Sequence, residues 1–348
     1  MTQKFLTITA LLITSLLFTQ CSKSNDETLA PVPVVPKIVY TAGVQYIGRD
    51  VATVWKDSVP TALTDGTFNA SANSVFVSGT DVYVAGQEQS SSNEVAKIWK
   101  NGVATSLTDG TNPAYLYSVY VAGGDVYATG FEGNSSGMYV AKVWKNGIAT
   151  SISDGTINNT GRSLFVSGTD VYVAGTQFNA SGIWSAKLWK NGIATALTYG
   201  SRNAEALSVF VLGTDVYVAG YEAHPVTGRS VAKLWKNGVA SVLTDGSNYA
   251  EANSVFASGT DVYVAGSEVN AGGNRQANLW KNGTATVLPG STYLSSASSV
   301  FVSGTDVFVT GSDRIIGSNN KIKVWKNGST SNLSGIATSS HGNSIYVK

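Results

Sequence analysis

The chain has 348 residues and a formal net charge of +1, with 43% hydrophobic and 13% charged residues. This composition is typical of a globular protein and excludes a largely disordered chain. Because there is no surplus of basic residues to meet a phosphate backbone, we expect no nucleic acid among its partners.

The N-terminal segment predicts export. Lys4 precedes an apolar stretch from Phe5 to Phe18. This stretch is too short for a comfortable membrane span, so residues 1–20 are predicted to be a secretory signal peptide. Cys21 follows directly and is the only cysteine of the chain. It therefore excludes any intramolecular disulfide.

The letters LLFTQC at 16–21 resemble the lipobox of bacterial lipoproteins, although Gln20 stands where that family usually has a small residue. The resemblance implies that Cys21 is acylated and holds the chain on a membrane. The following letters SKSNDE resemble the surface-export signal of some outer-membrane lipoproteins. We therefore expect an outer-membrane lipoprotein at the cell surface, with a periplasm-facing one as the alternative. Residues 21–36, with three prolines, are predicted to be the lipidated cysteine and a tether.

A repeat of about 45 residues dominates the rest of the chain. A Trp-Lys pair recurs at intervals of 44 to 46 residues, starting at Trp55, Trp99, Trp144, Trp189, Trp235, Trp280 and Trp325. One unit contains four short segments rich in Val, Thr and aromatic residues, at 74–79, 80–86, 96–100 and 103–108. Each segment predicts a strand, and the Asn-Gly of KNG predicts a two-residue hairpin between the last two.

Four antiparallel strands per unit in seven units predict an all-β fold, a seven-bladed β-propeller over residues 37–348, in preference to a β-solenoid or a tandem of sandwiches. We call the strands of a unit a, b, c and d in chain order. The first unit begins with strand b at 37–43, and the chain ends with a lone strand a at 343–348. Pairing of this C-terminal strand a with the N-terminal strands b, c and d would close the ring.

The architecture resembles seven-bladed β-propeller repeat proteins carried on bacterial surface lipoproteins, in which such a terminal strand closes the ring. The resemblance covers residues 37–348 and concerns architecture alone. The WD-repeat, Kelch and Asp-box signatures are missing from this sequence, so no ligand of those families is transferred to it.

The connections between strands differ in their chemistry. All length variation among complete units falls between strands b and c, and the d–a connection changes its side chains while it keeps its length. Both connections emerge at one face of an up-and-down blade, and variable loops on a rigid scaffold usually carry recognition. The candidate ligand-binding residues are Phe68, Tyr115, Arg162, Arg202, Glu205, Tyr249, Glu251, Tyr293 and His341.

The other residue patterns of the sequence do not indicate a metal site or a further ligand site. The only two histidines, His224 and His341, lie in different units and cannot supply a usual zinc site. The Asp of each TDG is predicted to form a turn, and the Trp of each WK is predicted to be core. The KNG lysines are predicted to be solvated turn residues, on a face that the tether places toward the membrane. We expect neither a metal nor a cofactor.

The predicted function is that of an envelope-anchored, non-enzymatic monomer. It would bind an extracellular glycan or protein through the face that carries the b–c and d–a loops. One alternative is a polysaccharide lyase or hydrolase with its acid and base drawn from Glu205, Glu251 and His341. Another is a structural subunit of an envelope complex.

Overall fold

The computed structural model describes residues 36–290, 293–314, 319–333 and 339–348. The chain divides into Met1–Pro36 and Lys37–Lys348, and every described strand belongs to the second part. The predicted signal peptide (1–20), the predicted lipidation site at Cys21 and the tether up to residue 35 lie outside the described residues. No helix capable of crossing a membrane occurs in the part of the chain that the structure describes.

The described residues form 28 β-strands and no helix, arranged as four-stranded antiparallel sheets in a propeller-like architecture. Strands a are β4 (Ala70–Ser78), β8 (Ala114–Ala122), β12 (Asn159–Ser167), β16 (Ala204–Leu212), β20 (Ala250–Ser258), β24 (Leu294–Ser303) and β28 (Ser339–Val347). Strands b are β1 (Val39–Tyr46), β5 (Asp81–Gln89), β9 (Asp125–Gly133), β13 (Asp170–Phe178), β17 (Asp215–Ala223), β21 (Asp261–Val269) and β25 (Asp306–Arg314). Strands c are β2 (Asp50–Lys56), β6 (Glu94–Lys100), β10 (Tyr139–Lys145), β14 (Trp184–Lys190), β18 (Ser230–Lys236), β22 (Arg275–Lys281) and β26 (Lys321–Lys326). Strands d are β3 (Val59–Ala62), β7 (Val103–Ser106), β11 (Ile148–Ser151), β15 (Ile193–Ala196), β19 (Val239–Val242), β23 (Thr284–Val287) and β27 (Ser329–Leu333).

The strands pair within seven repeats. Repeat 1 consists of β28, β1, β2 and β3 in that order, so its strand a comes from the C-terminus as predicted. Repeats 2 to 7 begin with β4, β8, β12, β16, β20 and β24 and take the three strands that follow each. One bridge between Arg275 and Leu294 links the sheets of repeats 6 and 7.

The c–d hairpins have the turn that the sequence predicts. Asn101 and Gly102 have φ values of 50° and 83°, both in the left-handed region that a two-residue hairpin needs. The Asn side chain also fixes the turn, because Asn101 Oδ1 accepts a hydrogen bond from the Val82 N–H at 2.9 Å. In repeat 1 Asp57 takes this place, with a φ of 54° and a bond from the Val39 N–H.

Strand a is longer than the sequence predicts. In repeat 2 it begins at Ala70 instead of residue 74, because its pairing with β5 continues past a bulge at Asn73. Each of the seven strands a has a register shift at the same place. A bulge adds one unpaired residue and bends the strand. As a result, many residues predicted to lie in the d–a loops belong to the strand.

The cores lie between neighbouring sheets. Trp99 is completely buried, and the Trp-Lys tryptophans are confirmed as core residues in all seven repeats. Small residues allow the sheets to approach: Ala85 and Ala96 of repeat 2 pack with Leu116 and Trp144 of repeat 3. Each repeat therefore buries its hydrophobic face only in contact with the next one.

Two sets of contacts join the strands a of successive repeats. Aromatic rings contact one another with centroids 4.4 to 5.0 Å apart, in the order Phe76, Tyr120, Phe165, Phe210, Phe256, Phe301, Tyr346 and back to Phe76. The serine that directly follows the bulge residue of each strand a accepts a backbone N–H of the next repeat, at 3.1 to 3.3 Å. In this set Ile345 donates to Ser299, and Val75 donates to Ser344.

The face with the a–b and c–d hairpins is uniform, but its lysines are not merely solvated. Lys100 pairs with Asp81 at 2.8 Å and lies over the Tyr83 ring. The same arrangement recurs at Lys145, Lys190, Lys236, Lys281 and Lys326. The lysine holds the pKa of Asp81 below its usual value through hydrogen bonding. These lysines are therefore charge-compensated, which weakens any attraction to anionic lipids.

Candidate functional site

An aromatic cleft of about 480 Å³ lies between repeats 3 and 4, at the end where the b–c and d–a connections emerge. It is lined by Tyr115, Tyr117, Phe131, Tyr139, Asn158, Thr160, Arg162, Thr176, Phe178 and Trp184. Apart from Asn158, which lies in a d–a connection, these residues come from the beginning of strands a, the end of strands b and the beginning of strands c. The cleft therefore runs from strand a to strand c across the ends of two sheets.

One wall of the cleft belongs to repeat 3. Phe131, near the end of β9, pairs across the strands with Tyr115 of β8, and their rings stack with centroids 5.1 Å apart. The ring of Tyr139, the first residue of β10, lies 4.3 Å from that of Phe131. Phe131 is buried, whereas Tyr139 is 38% exposed. A buried ring thus supports an exposed one, which is the arrangement of a rigid contact platform.

The second wall belongs to repeat 4. Phe178 ends β13, Trp184 begins β14, and their rings meet edge to face at 5.8 Å. The chain has eight tryptophans, and Trp184 is the only one outside the Trp-Lys pairs. It is 38% exposed, whereas the other seven are buried. The scaffold does not require an indole at this position.

Asparagine side chains fix the residues that carry the two outer rings. Asn158 Oδ1 accepts a hydrogen bond from the Tyr139 N–H at 2.7 Å, and Asn203 Oδ1 accepts one from the Trp184 N–H at 3.1 Å. These asparagines lie in the d–a connections. Their amides hold the first residue of strand c in place, so Tyr139 and Trp184 are held on strand ends and not on free loops.

Arg162 forms the inner end of the cleft. It is the bulge residue of β12, and its guanidinium lies 4.6 Å from the centre of the Tyr117 ring. Its Nη2 donates a hydrogen bond to Glu205 Oε2 of repeat 5 at 3.2 Å. The charge of Arg162 is therefore already balanced, and its planar group extends the aromatic surface.

Glu205 is the centre of a small polar network. Besides Arg162, it accepts hydrogen bonds from the Tyr221 hydroxyl at 2.6 Å and from Thr176 Oγ1 at 3.4 Å. Burial raises the pKa of Tyr221, and the carboxylates of Glu205 and Glu251 raise it further. Tyr221 is thus a neutral hydrogen-bond donor at physiological pH.

A comparison of the repeats separates the cleft from the scaffold. The first residue of strand c is Tyr139 in repeat 3 and Trp184 in repeat 4. The same position is Asp50, Glu94, Ser230 and Arg275 in repeats 1, 2, 5 and 6. Since all six strands fold alike, the aromatic residues of repeats 3 and 4 are not required by sheet packing. They mark a place where two adjacent repeats differ from the others.

Of the nine predicted ligand-binding residues, the cleft brings together Tyr115 and Arg162, and Arg162 contacts Glu205. Glu251 lies close enough to influence the Tyr221 pKa. Five of the nine belong to strand a, not to the d–a loop as predicted: Tyr115, Arg162, Glu205, Glu251 and His341. The physical reason is that pairing with strand b continues beyond the bulge, so that strand a of repeat 2 begins four residues earlier than predicted.

The remaining predicted residues lie apart from the cleft. Phe68, Tyr249 and Tyr293 are exposed before β4, β20 and β24. Arg202 lines a separate cleft of about 280 Å³ with His224 and Lys233, and it contacts Glu222, which also pairs with Lys233. The charges of Arg202 and Lys233 are therefore both balanced by the buried carboxylate of Glu222.

His341 and the TDG aspartates have local partners. His341 Nε2 lies 2.9 Å from Asn320 Nδ2, and burial lowers the pKa of the imidazole. Asp109 Oδ1 accepts a hydrogen bond from the Thr111 N–H at 2.8 Å, and Asp65, Asp154 and Asp245 form the same turn. Among the residues that the structure describes, no three metal-ligating side chains come together.

Sequence reasoning missed five of the six aromatic cleft residues, Tyr117, Phe131, Tyr139, Phe178 and Trp184, and also Thr160 and Thr176. The count of eight tryptophans for seven Trp-Lys pairs was the available signal for Trp184. No protein-family model matches the chain, and no curated protein is significantly similar to it. The site therefore has to be interpreted from its own chemistry.

Proposed function

We propose that residues 37–348 form a closed seven-bladed β-propeller that binds a glycan in the aromatic cleft, without chemical conversion. The closed ring is supported by the β28–β1 pairing and by the two cyclic sets of contacts between strands a. A further ion pair joins Lys37 of repeat 1 to Asp306 of repeat 7 at 2.9 Å. The ring leaves no strand a without a neighbour.

The observation that carries the glycan proposal is the pair of exposed rings, Tyr139 and Trp184, on walls that face one cleft. Sugar rings present apolar C–H faces that pack on aromatic surfaces, and their hydroxyls require polar groups nearby. Thr160, Thr176 and Arg162 supply such groups within the same lining. Small, largely preformed apolar clefts with a few convergent polar groups are typical ligand sites.

The proposal includes the location. An acylated Cys21 would hold the protein on the outer membrane at the cell surface. The cleft would then face away from the membrane, because it lies at the strand ends opposite those beside Lys37. Lys37, the first residue after the tether, contacts Asp306, which also pairs with Lys326 on the uniform face. This contact is the support for that orientation. Labelling of the chain with radioactive palmitate, abolished by Cys21→Ser, tests the anchor.

A glycan array with the full chain carrying Cys21→Ser tests the binding function. We expect an oligosaccharide ligand, and we expect Trp184→Ala or Tyr139→Ala to weaken its binding at least tenfold, which is about 1.4 kcal/mol. Phe68→Ala is the matched control, because Phe68 is an exposed aromatic residue outside the cleft. Binding of a stoichiometric protein partner without any sugar would contradict the glycan proposal.

The catalytic alternative has a separate test. Glu205 and Glu251 both influence the Tyr221 pKa, whereas His341 pairs with Asn320 of repeat 7. Cleavage of an oligosaccharide panel by the full chain, abolished by Glu205→Gln, would refute the non-enzymatic proposal.

A further inference from the structure

A second cleft adjoins the aromatic one. It has a volume of about 170 Å³, and Tyr115 lines both clefts. The other residues that line it are Asp50, Asn69, Ala70, Ser71, Gln87, Gln89 and Glu94. Because the Tyr115 side chain is common to both, a ligand that extends past this ring passes from one cleft into the other.

The second cleft is built from the same strand positions as the first. Gln87 pairs with Ser71 across β5 and β4, as Phe131 pairs with Tyr115 in repeat 3. Glu94 begins strand c of repeat 2, as Tyr139 does in repeat 3. The geometry is therefore repeated while the chemistry changes from aromatic rings to amides and carboxylates.

The charge of the second cleft is negative. Asp50 and Glu94 contribute carboxylates, and no Lys or Arg is among the described residues that line it. Burial raises the pKa of Tyr115, and the neighbouring Glu94 carboxylate raises it further. An ionised carboxylate can only accept hydrogen bonds, so this cleft favours a ligand that is rich in hydroxyl donors.

The aromatic cleft adds no free positive charge. Its one cation, Arg162, is paired with Glu205 at 3.2 Å. A uronic acid, sulfate or phosphate group would thus meet two carboxylates at one end of the groove and a compensated guanidinium at the other. Juxtaposition of like charges disfavours such a ligand.

We infer that the two clefts form one groove for a neutral oligosaccharide, with the aromatic cleft holding some sugar units and the Asp50–Glu94 cleft holding the hydroxyls of the next ones. This inference rests on the proposed glycan-binding function. It adds the ligand class, which is uncharged, and a requirement for chain length, since only a chain of several units reaches both clefts.

Isothermal titration of the full chain carrying Cys21→Ser tests the groove. The probes are neutral oligosaccharides (cello-, malto-, xylo- and manno-series, two to six units) and oligogalacturonides of the same lengths. We expect affinity for one neutral series to rise at least tenfold from the dimer to the hexamer. Gln89→Ala and Glu94→Gln should remove most of that rise and leave dimer binding unchanged, while Trp184→Ala weakens both.

A charge-reversed variant and a matched control sharpen the result. Glu94→Lys should permit binding of the oligogalacturonides, and Ser230→Ala, at the same strand position in repeat 5, should change nothing. Equal affinity for dimer and hexamer, or preferred binding of oligogalacturonides by the unmodified groove, would overturn the inference and leave the glycan proposal intact if Trp184→Ala still weakens binding. Absence of any sugar binding would overturn both.

Discussion

Replacement of Ile345 by Ala tests whether the two ends of the chain share one core. Ile345 lies on β28, is 4% exposed and packs with Trp55, Phe308 and Ile322. Phe308 and Ile322 belong to repeat 7, so these contacts cross the seam between the last and the first repeat. Removal of such a buried side chain usually costs about 2–5 kcal/mol in free energy of unfolding, because it leaves a cavity.

Leu164→Ala is the matched control. Leu164 has the same position in β12, is 3% exposed and packs with Val173 and Trp189. Its N–H donates to Ser118 Oγ at 3.2 Å, as that of Ile345 donates to Ser299 Oγ at 3.3 Å. If the ring is closed, both variants should lose stability by similar amounts, since the two environments are equivalent.

Thermal and urea unfolding of the full chain carrying Cys21→Ser measure the loss. About 1 kcal/mol corresponds to roughly 1.5 °C in Tm for a unit of this length, so both variants should melt about 3–7 °C lower. A lower Tm for Leu164→Ala together with an unchanged Tm for Ile345→Ala would refute closure of the ring. In an open ring the terminal strand would be frayed, so truncation of Ile345 would cost little free energy of unfolding.

Three further results are expected. Trp99→Ala should cost about 3–5 kcal/mol in free energy of unfolding, whereas Trp184→Ala should cost about 1 kcal/mol or less, as measured by urea titration; equal losses would contradict the separation of core and cleft tryptophans. Burial lowers the pKa of His341 in the folded chain below 6.5, so protonation of the imidazole favours the unfolded chain. The contribution of neutral His341 to the free energy of unfolding is complete above pH 6.5 and is lost as the pH falls through the folded-state pKa. His341→Gln should therefore reduce the drop in urea midpoint between pH 7.5 and 5. Asn101→Asp should lower Tm, because Asn101 Nδ2 donates a hydrogen bond to Asp81 Oδ1 at 2.8 Å. Asp81→Ile should relieve the loss, because in repeat 1 Asp57 takes the place of Asn101 and Ile38 takes the place of Asp81. A double variant less stable than Asn101→Asp would contradict this reasoning.

Much of the fold could be predicted because the same residue pattern recurs in every repeat. The spacing of the Trp-Lys pairs predicted seven units, and the Asn-Gly dipeptide predicted a turn that the φ values of Asn101 and Gly102 bear out. The position of Trp99 in an alternating strand predicted its burial. These features depend on local sequence and on packing that is common to every repeat, so a single chain contains the information several times.

The site could be predicted only in part. Tyr115 and Arg162 were recognised because their positions change chemistry between repeats, but they were assigned to a loop because the bulge in strand a leaves no mark in the residue pattern. Tyr139 and Trp184 were missed because the start of strand c follows a loop of variable length. Their convergence arises from the packing of two sheets, which no pattern within one repeat expresses.

The ion pairs of the described residues are of two kinds, those within one repeat and those between repeats. Most lie within one repeat, as Lys100 with Asp81 does, and such a pair is copied whenever the repeat is copied. Two pairs join strands or strand ends of different repeats: Lys37 with Asp306 at the seam, and Arg162 with Glu205 beside the cleft. A pair between repeats does not arise from copying the repeat, because no other repeat has the same residues at both positions. Such a pair therefore marks a boundary that differs from the others, the proposed closure of the ring at the first and the proposed glycan-binding cleft at the second.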